Sequence, residues 1–201
     1  MNELTAICLL RHGETEWNAA GRLQGREDIP LNAKGKEQAE RVGQYLQRTE
    51  FAAVFTSPLA RAKETARIVN GYIGGLPMFE SGDFTEKDYG LASGMTVQER
   101  DSHFPDGRIP GMEPFDQIEK RAMSGLEGIR RRFPDGLILL VAHGGLINTI
   151  LALLSEGRIG TGKTKLFNTC ISHIISDGSS WQIIDYNRID HLGSFGKVTS
   201  I

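Results

Sequence analysis

The stretch LILLVAHGGLINTILALL, residues 137–154, decides the fold. Leu137–Ala142 is an unbroken apolar run of strand length, the pattern of a strand covered on both faces. It stops at His143-Gly144-Gly145, and apolar residues resume over Leu146–Leu154 as a helix. A buried strand, a short polar loop and a helix make the unit of a parallel α/β sheet. The same grammar recurs upstream. Ala6–Leu10 is a second apolar run, and it breaks into Arg11-His12-Gly13-Glu14-Thr15. Asn32 caps a helix predicted over Ala33–Gln47, with Ala39, Val42, Tyr45 and Leu46 at helical spacing. Ala52–Thr56 is a third run. Ser57 is expected to cap the next helix, with Pro58 at its first position and Gly71 as its stop.

Residues 74–113 are rich in Gly, Pro and charge, with one short helical segment at Val97–Phe104. Pro114–Phe133 follows helical periodicity and leads into the turn Pro134-Asp135-Gly136. Thr169–Ser176, Asp177-Gly178 and Trp181–Asn187 form a hairpin pattern that can add an antiparallel strand. The whole predicts a three-layer α/β/α sandwich with a mainly parallel sheet, in one domain over residues 1–201, with a tail from Gly193 on. The 201 residues are sufficient for one buried core.

Composition narrows the function. Lys plus Arg is 23 and Asp plus Glu is 25, for a net charge of −2, so bulk electrostatics point to neither nucleic acid nor a membrane surface as partner. No apolar run approaches the ~20 residues that span a bilayer. The N-terminal MNELTAICLL lacks a basic region and a cleavage site, and Cys8 and Cys170 lie in apolar runs as small buried hydrophobes. A cytoplasmic protein without a disulfide framework is expected. Nothing in the chain specifies an oligomeric state.

In open α/β sheets, ligands bind beyond the carboxyl ends of the strands. Three loops leave such ends here, carrying Arg11 and His12, Ser57 and Arg61, and His143. Two His and two Arg therefore meet on one rim. Guanidinium forks bind tetrahedral oxyanions and hold their charge at every working pH. A neutral imidazole is a competent nucleophile near pH 7. Arginine beside a metal cation is unfavourable, and HExxH, CxxC and Ca-loop patterns are absent, so a phosphoryl site fits better than a metal site.

These residues resemble a known family. Leu10-Arg11-His12-Gly13-Glu14-Thr15, with Trp17 and Asn18, is similar to the signature of the histidine phosphatase superfamily, which includes the phosphoglycerate mutases. Further matching stretches follow in order. They are Arg22–Gly25, Pro30–Asn32, Ser57–Ala62 with Thr65, Glu86–Gly90 ending at Gly94, Ala142–Gly145, and Asn187 with His191-Leu192. The resemblance spans residues 5–192 and implies a phosphoglycerate mutase-like fold and a phosphohistidine mechanism with no cofactor and no metal.

By that resemblance His12 attacks phosphorus, while Arg11, Arg61 and His143 bind the phosphoryl oxygens and neutralise charge in the transition state. Asn18 and the backbone after His143, beginning with Gly144, add donors. Glu86 serves as general acid and then base, with Asp88 as the runner-up. Carboxylate beside phosphate meets like-charge repulsion, which favours a protonated acid at the start. Ser57 either binds phosphate or only caps its helix. Gln24, with Gly25 beside it, either lines the pocket mouth or holds its loop. Glu14, Thr15 and His191 are expected to be structural, and His103 and His173 to be surface and strand residues. Trp17, Tyr89, Phe104 and Phe115 either line the mouth or pack into the core.

The segment Gly157–Thr164 matches GxxxxGK[ST], but it follows a helix and precedes a strand, the inverse of the context in which that loop cradles phosphate. Only 57 residues separate Glu86 from His143, too few for the long mutase lid, which favours a phosphatase of small phosphorylated metabolites over a mutase. Ala92-Ser93 and Gly111-Met112-Glu113-Pro114 depart from the family pattern on the substrate side. A non-catalytic phospho-ligand module is the third reading, disfavoured because Arg11, His12, Arg61, Glu86 and His143 are all present.

Overall fold

The computed structural model describes residues 4–196. Strand β1 (Thr5–Arg11) alternates its side chains between two cores. Ile7 and Leu9 face one, Cys8 and Leu10 the other, and all four are buried. Strand β4 (Leu137–Ala142) does the same with Ile138 and Leu140 against Leu139 and Val141. An apolar run buried on both faces needs a helical layer on each side, and both are present. Helices α2 (Ala33–Leu46) and α3 (Ala60–Tyr72) cover one face with Val42, Leu46, Ala62, Ala66 and Val69. Helices α5 (Phe115–Arg132) and α6 (Gly144–Leu154) cover the other with Ile118, Leu126, Ile129, Leu146 and Ile150.

Six strands form one sheet in the order β3-β2-β4-β1-β5-β6, where β2 is Ala53–Thr56, β3 Met78–Glu80, β5 Ile171–Ser176 and β6 Trp181–Arg188. The pairs β3–β2, β2–β4 and β4–β1 are parallel. The terminal hairpin contributes two antiparallel strands, β5 against β1 and β6 at the edge. The short strand β3 and the one-turn helix α1 (Glu16–Ala19) have too little periodicity to be read from sequence. Helix α4 (Val97–His103) lies where the pattern placed it.

Two boundaries differ from expectation for local reasons. Helix α3 begins at Ala60 with Leu59 as its cap, so neither Ser57 nor Pro58 starts it, and it continues through Gly71 to Tyr72. The Ser57 hydroxyl instead accepts from the Leu59 amide inside the turn. Helix α6 begins at Gly144, two residues earlier than the apolar pattern suggested, which makes His143 its N-cap. The expected tail begins in a short 3₁₀ segment kinked at Gly193, and residues 197–201 lie outside the described residues. Among the described residues, no helix is long and apolar enough to cross a membrane.

Candidate active site

Arg11 is the last residue of β1, and His12 leaves the strand with its amide on the Ala142 carbonyl of β4. This hydrogen bond sets the ends of the two parallel strands side by side, and with them their loops. The His12 and His143 rings lie 5.2 Å apart between centroids, tilted by 58°. Both are buried. Arg61, from the first turn of α3, is fully buried beside them.

His12 Nδ1 lies 2.7 Å from the carbonyl oxygen of Gly13. A carbonyl only accepts, so Nδ1 carries the hydrogen and Nε2 keeps its lone pair. Sequence could not name this acceptor; it is the next residue along the chain. Burial, then the guanidinium groups of Arg61 and Arg11, hold the His12 pKa well below its ordinary value. His143 is lowered in the same way, by burial and then by Arg61 and His12. Both rings are therefore neutral at pH 7.

The loop carrying His12 is fastened from several sides. The Gly13 amide donates to Thr65 Oγ1, whose hydroxyl bonds the Arg61 carbonyl. Asn168 Nδ2 and the Thr169 amide both reach the His12 carbonyl, at 3.1 and 3.3 Å. Thr169 sits at φ 55, a conformation uncommon for a β-branched residue, which marks this turn as held in place by its surroundings. Neither Asn168 nor Thr169 is among the candidate site residues read from the sequence, where Thr169 only opens the hairpin pattern, because both act by contacting the His12 carbonyl from more than 150 residues away.

Arg11 Nη1 donates to the Leu166 carbonyl at 2.6 Å. Arg61 donates to the carbonyls of Glu27 and Gly25, both at 2.7 Å. Burial lowers the pKa of each guanidinium, and Glu86 acts against that on both; arginine nonetheless stays protonated. Arg11 Nε, Arg61 Nε and both ring nitrogens of His143 are buried without a hydrogen-bond partner among the described residues. Buried polar atoms are seldom left unpaired. Here four of them belong to side chains that stack on His12 or act on its charge.

Glu86 is also buried at this rim. Its Oε1 accepts from the amides of Lys87 and Leu146, at 2.8 and 2.9 Å, and its Oε2 from Gly145 at 2.9 Å. The carboxyl group thus caps the N-terminus of α6 and satisfies amides that the helix leaves without a partner of its own. The amides of Gly145 and Leu146, expected among the phosphoryl donors, are committed to Glu86 instead. Gly144 packs against Arg11: a Cβ there would lie 3.2 Å from Arg11 Nε.

The remaining predicted residues divide clearly. Asn18 Oδ1 closes a capping box with Thr15 and accepts from Asn168, while its Nδ2 has no hydrogen-bond acceptor among the described residues. Gln24 is buried and accepts from the Thr15 hydroxyl at 2.9 Å, so its carbonyl end ties the loop together. Gly25 contributes its carbonyl to Arg61. Ser57 is fully buried in its turn. Glu14 is an anchor, bonded to Asn32 and Lys34. Asp88 turns away to the Gly90 amide. His173 does have a partner, Asp185 on the neighbouring strand at 2.7 Å, and His191 meets Thr169 Oγ1. His103 is exposed and bonded to its own helix, and Phe115 is exposed. The Trp17 ring packs against Gly94, and Tyr89 is half-buried with its hydroxyl beside Gly145. In the 157–164 loop Lys163 bonds the Gly157 carbonyl, and the loop does follow a helix and precede a strand. Cys8 and Cys170 are buried free thiols pushed up to about 12 by burial. No group of three or more His, Cys, Asp or Glu side chains among the described residues could hold a metal ion.

A doubly covered sheet that brings two neutral histidines and two buried arginines to the ends of its parallel strands is the architecture of a histidine phosphatase, and the chain belongs to the histidine phosphatase superfamily (branch 1), whose family model matches residues 7–189. Among its relatives is a protein named uncharacterized phosphatase PhoE from Bacillus subtilis (strain 168), 43% identical over 194 residues that cover 96% of this chain and 100% of the relative. The solved structure of YhfR from Bacillus stearothermophilus superposes with a TM-score of 0.86 at 29% identity, covering 94% of this chain and 99% of the other. A phosphoserine phosphatase from Entamoeba histolytica, solved in complex with 3-phosphoglyceric acid, superposes with a TM-score of 0.82 at 28% identity, with coverage of 94% and 99%. The fold is accordingly phosphoglycerate mutase-like, and the chain has phosphatases among its homologues.

Proposed function

We propose that the protein hydrolyses small phosphorylated metabolites through a phosphohistidine on His12. The observation that carries this reading is the set of unspent buried donors, Arg11 Nε, Arg61 Nε and the His143 ring, gathered around a histidine whose Nε2 is left bare by the Nδ1–Gly13 bond. Among the described residues, the two buried guanidinium groups have no hydrogen-bonded carboxylate, only backbone carbonyls. A dianionic phosphoryl group supplies the missing counter-charge and the missing acceptors.

In the first half-reaction Nε2 attacks phosphorus and the bond from phosphorus to the ester oxygen breaks. The departing alkoxide takes a proton from Glu86. The proton belongs on Oε2, which accepts one amide where Oε1 accepts two. In the second, ionised Glu86 takes a proton from water as its oxygen attacks phosphorus. The N–P bond breaks, and neutral His12 and inorganic phosphate are released. The arginines and His143 hold the three equatorial oxygens throughout.

The substrate class rests on the relatives. The Entamoeba enzyme holds 3-phosphoglyceric acid in its crystal structure, and a small phosphorylated acid or sugar suits this site. One assay tests the proposal against its rivals. The protein is incubated with p-nitrophenyl phosphate and with 3-phosphoglycerate plus a bisphosphoglycerate primer. Hydrolysis without isomerisation is expected; isomerisation indicates a mutase, and inertness toward a wide phosphoester panel a binding module. His12→Ala removes turnover and acid-labile labelling, and EDTA leaves the rate unchanged.

A further inference from the structure

Glu86 does not lie on a regular element. It follows a short 3₁₀ turn (Gly82–Phe84) and precedes the loop that ends at Gly94. Its position must come from contacts elsewhere. The α6 amides of Gly145 and Leu146 hold its carboxylate, and the side chain of Arg121, in the middle of α5, holds the backbone that carries it. Nη1 donates to the carbonyls of Asp83 and Thr85, at 2.8 and 2.6 Å, and Nη2 to the carbonyl of Glu86 itself at 3.1 Å. The other edge of the same guanidinium grips Glu113 bidentately, Nε to Oε1 at 2.7 Å and Nη2 to Oε2 at 2.9 Å. Glu113 is buried, and its Oε2 accepts from the Asp88 amide, while its own amide bonds the Asp88 carbonyl. The segment on both sides of Glu86 is thereby bolted to α5. Gly125 permits the close approach: a Cβ there would lie 2.6 Å from the Phe84 ring.

The clamp also reaches the phosphoryl site. Glu113 Oε1 accepts from Arg26 at 3.3 Å. Arg26 stands between Gly25 and Glu27, whose carbonyls hold Arg61. One buried carboxylate therefore joins the segment that carries Glu86 to the loop that holds Arg61.

We infer that Arg121 and Glu113 are positioning residues that set the distance between the Glu86 carboxyl group and the phosphoryl group held by Arg61. This rests on the reading of Glu86 as the general acid. Neither residue touches the reacting atoms. Their removal should weaken proton delivery to the leaving oxygen and leave nucleophilic attack by His12 intact.

The test is leaving-group dependence. A nitrophenolate departs without protonation, whereas an alkoxide needs the acid. Arg121→Met, Glu113→Gln and Glu86→Gln are compared with the parent on p-nitrophenyl phosphate and on an alkyl phosphomonoester such as phosphoserine. A carboxyl group displaced by roughly an ångström loses about 100-fold. Arg121→Met is expected to lose about that factor on phosphoserine in kcat/KM, which reads only the steps up to departure of the leaving group, to lose much less on p-nitrophenyl phosphate, and to keep its acid-labile labelling. Arg121→Lys, with one donor centre in place of the fork, should recover little. Equal losses of kcat/KM for Arg121→Met on both substrates, or none on either, overturn the inference. If Glu86→Gln itself shows no leaving-group dependence, the acid assignment fails first. Should Arg121→Met not fold, the Glu113→Gln variant, which keeps the shape and one acceptor, decides by the same ratio.

Discussion

Helix α2 crosses the loop that carries His12 with backbone against backbone, and this contact makes a sharp prediction. An ideal Cβ on Gly35 would lie 2.1 Å from the Glu14 carbonyl oxygen and 2.7 Å from its amide nitrogen. The reverse holds as well: a Cβ on Gly13 would meet the Gly35 carbonyl oxygen at 2.3 Å. In an open helix Gly→Ala gains about 1 kcal/mol from reduced backbone entropy. At Gly35 the obstructing atoms are backbone, so the loop must shift by about 1 Å to restore contact distance, and overpacking of this kind costs ~1–3 kcal/mol. The shift strains two hydrogen bonds, Asn32 amide to Glu14 carbonyl and Glu14 amide to Gln38, worth about 1 kcal/mol each. The balance for Gly35→Ala is a destabilisation of about 2–4 kcal/mol, or a Tm lowered by roughly 5–15 °C in a chain of this size. Gly128 is the control. It lies inside α5, where a Cβ meets nothing within 4 Å, so Gly128→Ala should gain about 0.5–1 kcal/mol. Thermal and urea unfolding of both variants, with kcat on p-nitrophenyl phosphate, make the measurement. kcat should fall for Gly35→Ala, since the Gly13 carbonyl that orients His12 belongs to the displaced loop. A Gly35→Ala protein that melts at or above the parent, with Gly128→Ala stabilised, would refute the close-crossing argument.

Other outcomes follow from the same site. Because the folded pKa values of His12 and His143 are lowered, the unfolded chain binds more protons below pH 6.5. Stability is therefore full above that value and should fall as pH drops below it, by up to about 1.4 kcal/mol per pH unit for each ring that stays neutral in the folded protein; urea midpoints that hold constant as pH drops below 6.5 contradict it. Saturating vanadate should raise Tm, by about 2.7 kcal/mol of linkage at 100 times its Kd, and Arg61→Met should abolish that shift in calorimetry. Gly145→Ala should lower Tm and slow alkyl phosphate hydrolysis, because its Cβ would lie 2.6 Å from Glu86 Oε1 and displaces a carboxylate held by three amides, worth about 1 kcal/mol each; unchanged steady-state rates would show that the carboxylate position does not matter.

Much of the fold was legible in the chain because strand and helix periods are local properties. The run Leu137–Ala142 reads as a doubly covered strand, and alternation along β1 assigns Ile7 and Leu9 to one core and Cys8 and Leu10 to the other. The loops carrying Arg11, His12, Arg61 and His143 follow directly, since they leave the ends of those strands. Helix ends were less legible. Leu59 caps α3 without a side-chain bond, so no residue type advertises the start, and Gly144 and Gly145 join α6 because Glu86, 59 residues away from Gly145, supplies the cap.

The sequence by itself determined which chemical groups this protein has and the strand ends that carry them. Only the tertiary structure decided what each group does with its hydrogen bonds: the Gly13 carbonyl on His12, the Gly25 and Glu27 carbonyls on Arg61, the α6 amides on Glu86, and the Arg121–Glu113 clamp behind it. The reason is physical. A hydrophobic period is set by neighbours a few residues apart, whereas a hydrogen-bond partner is chosen by which backbone atoms the packed layers bring within about 3 Å.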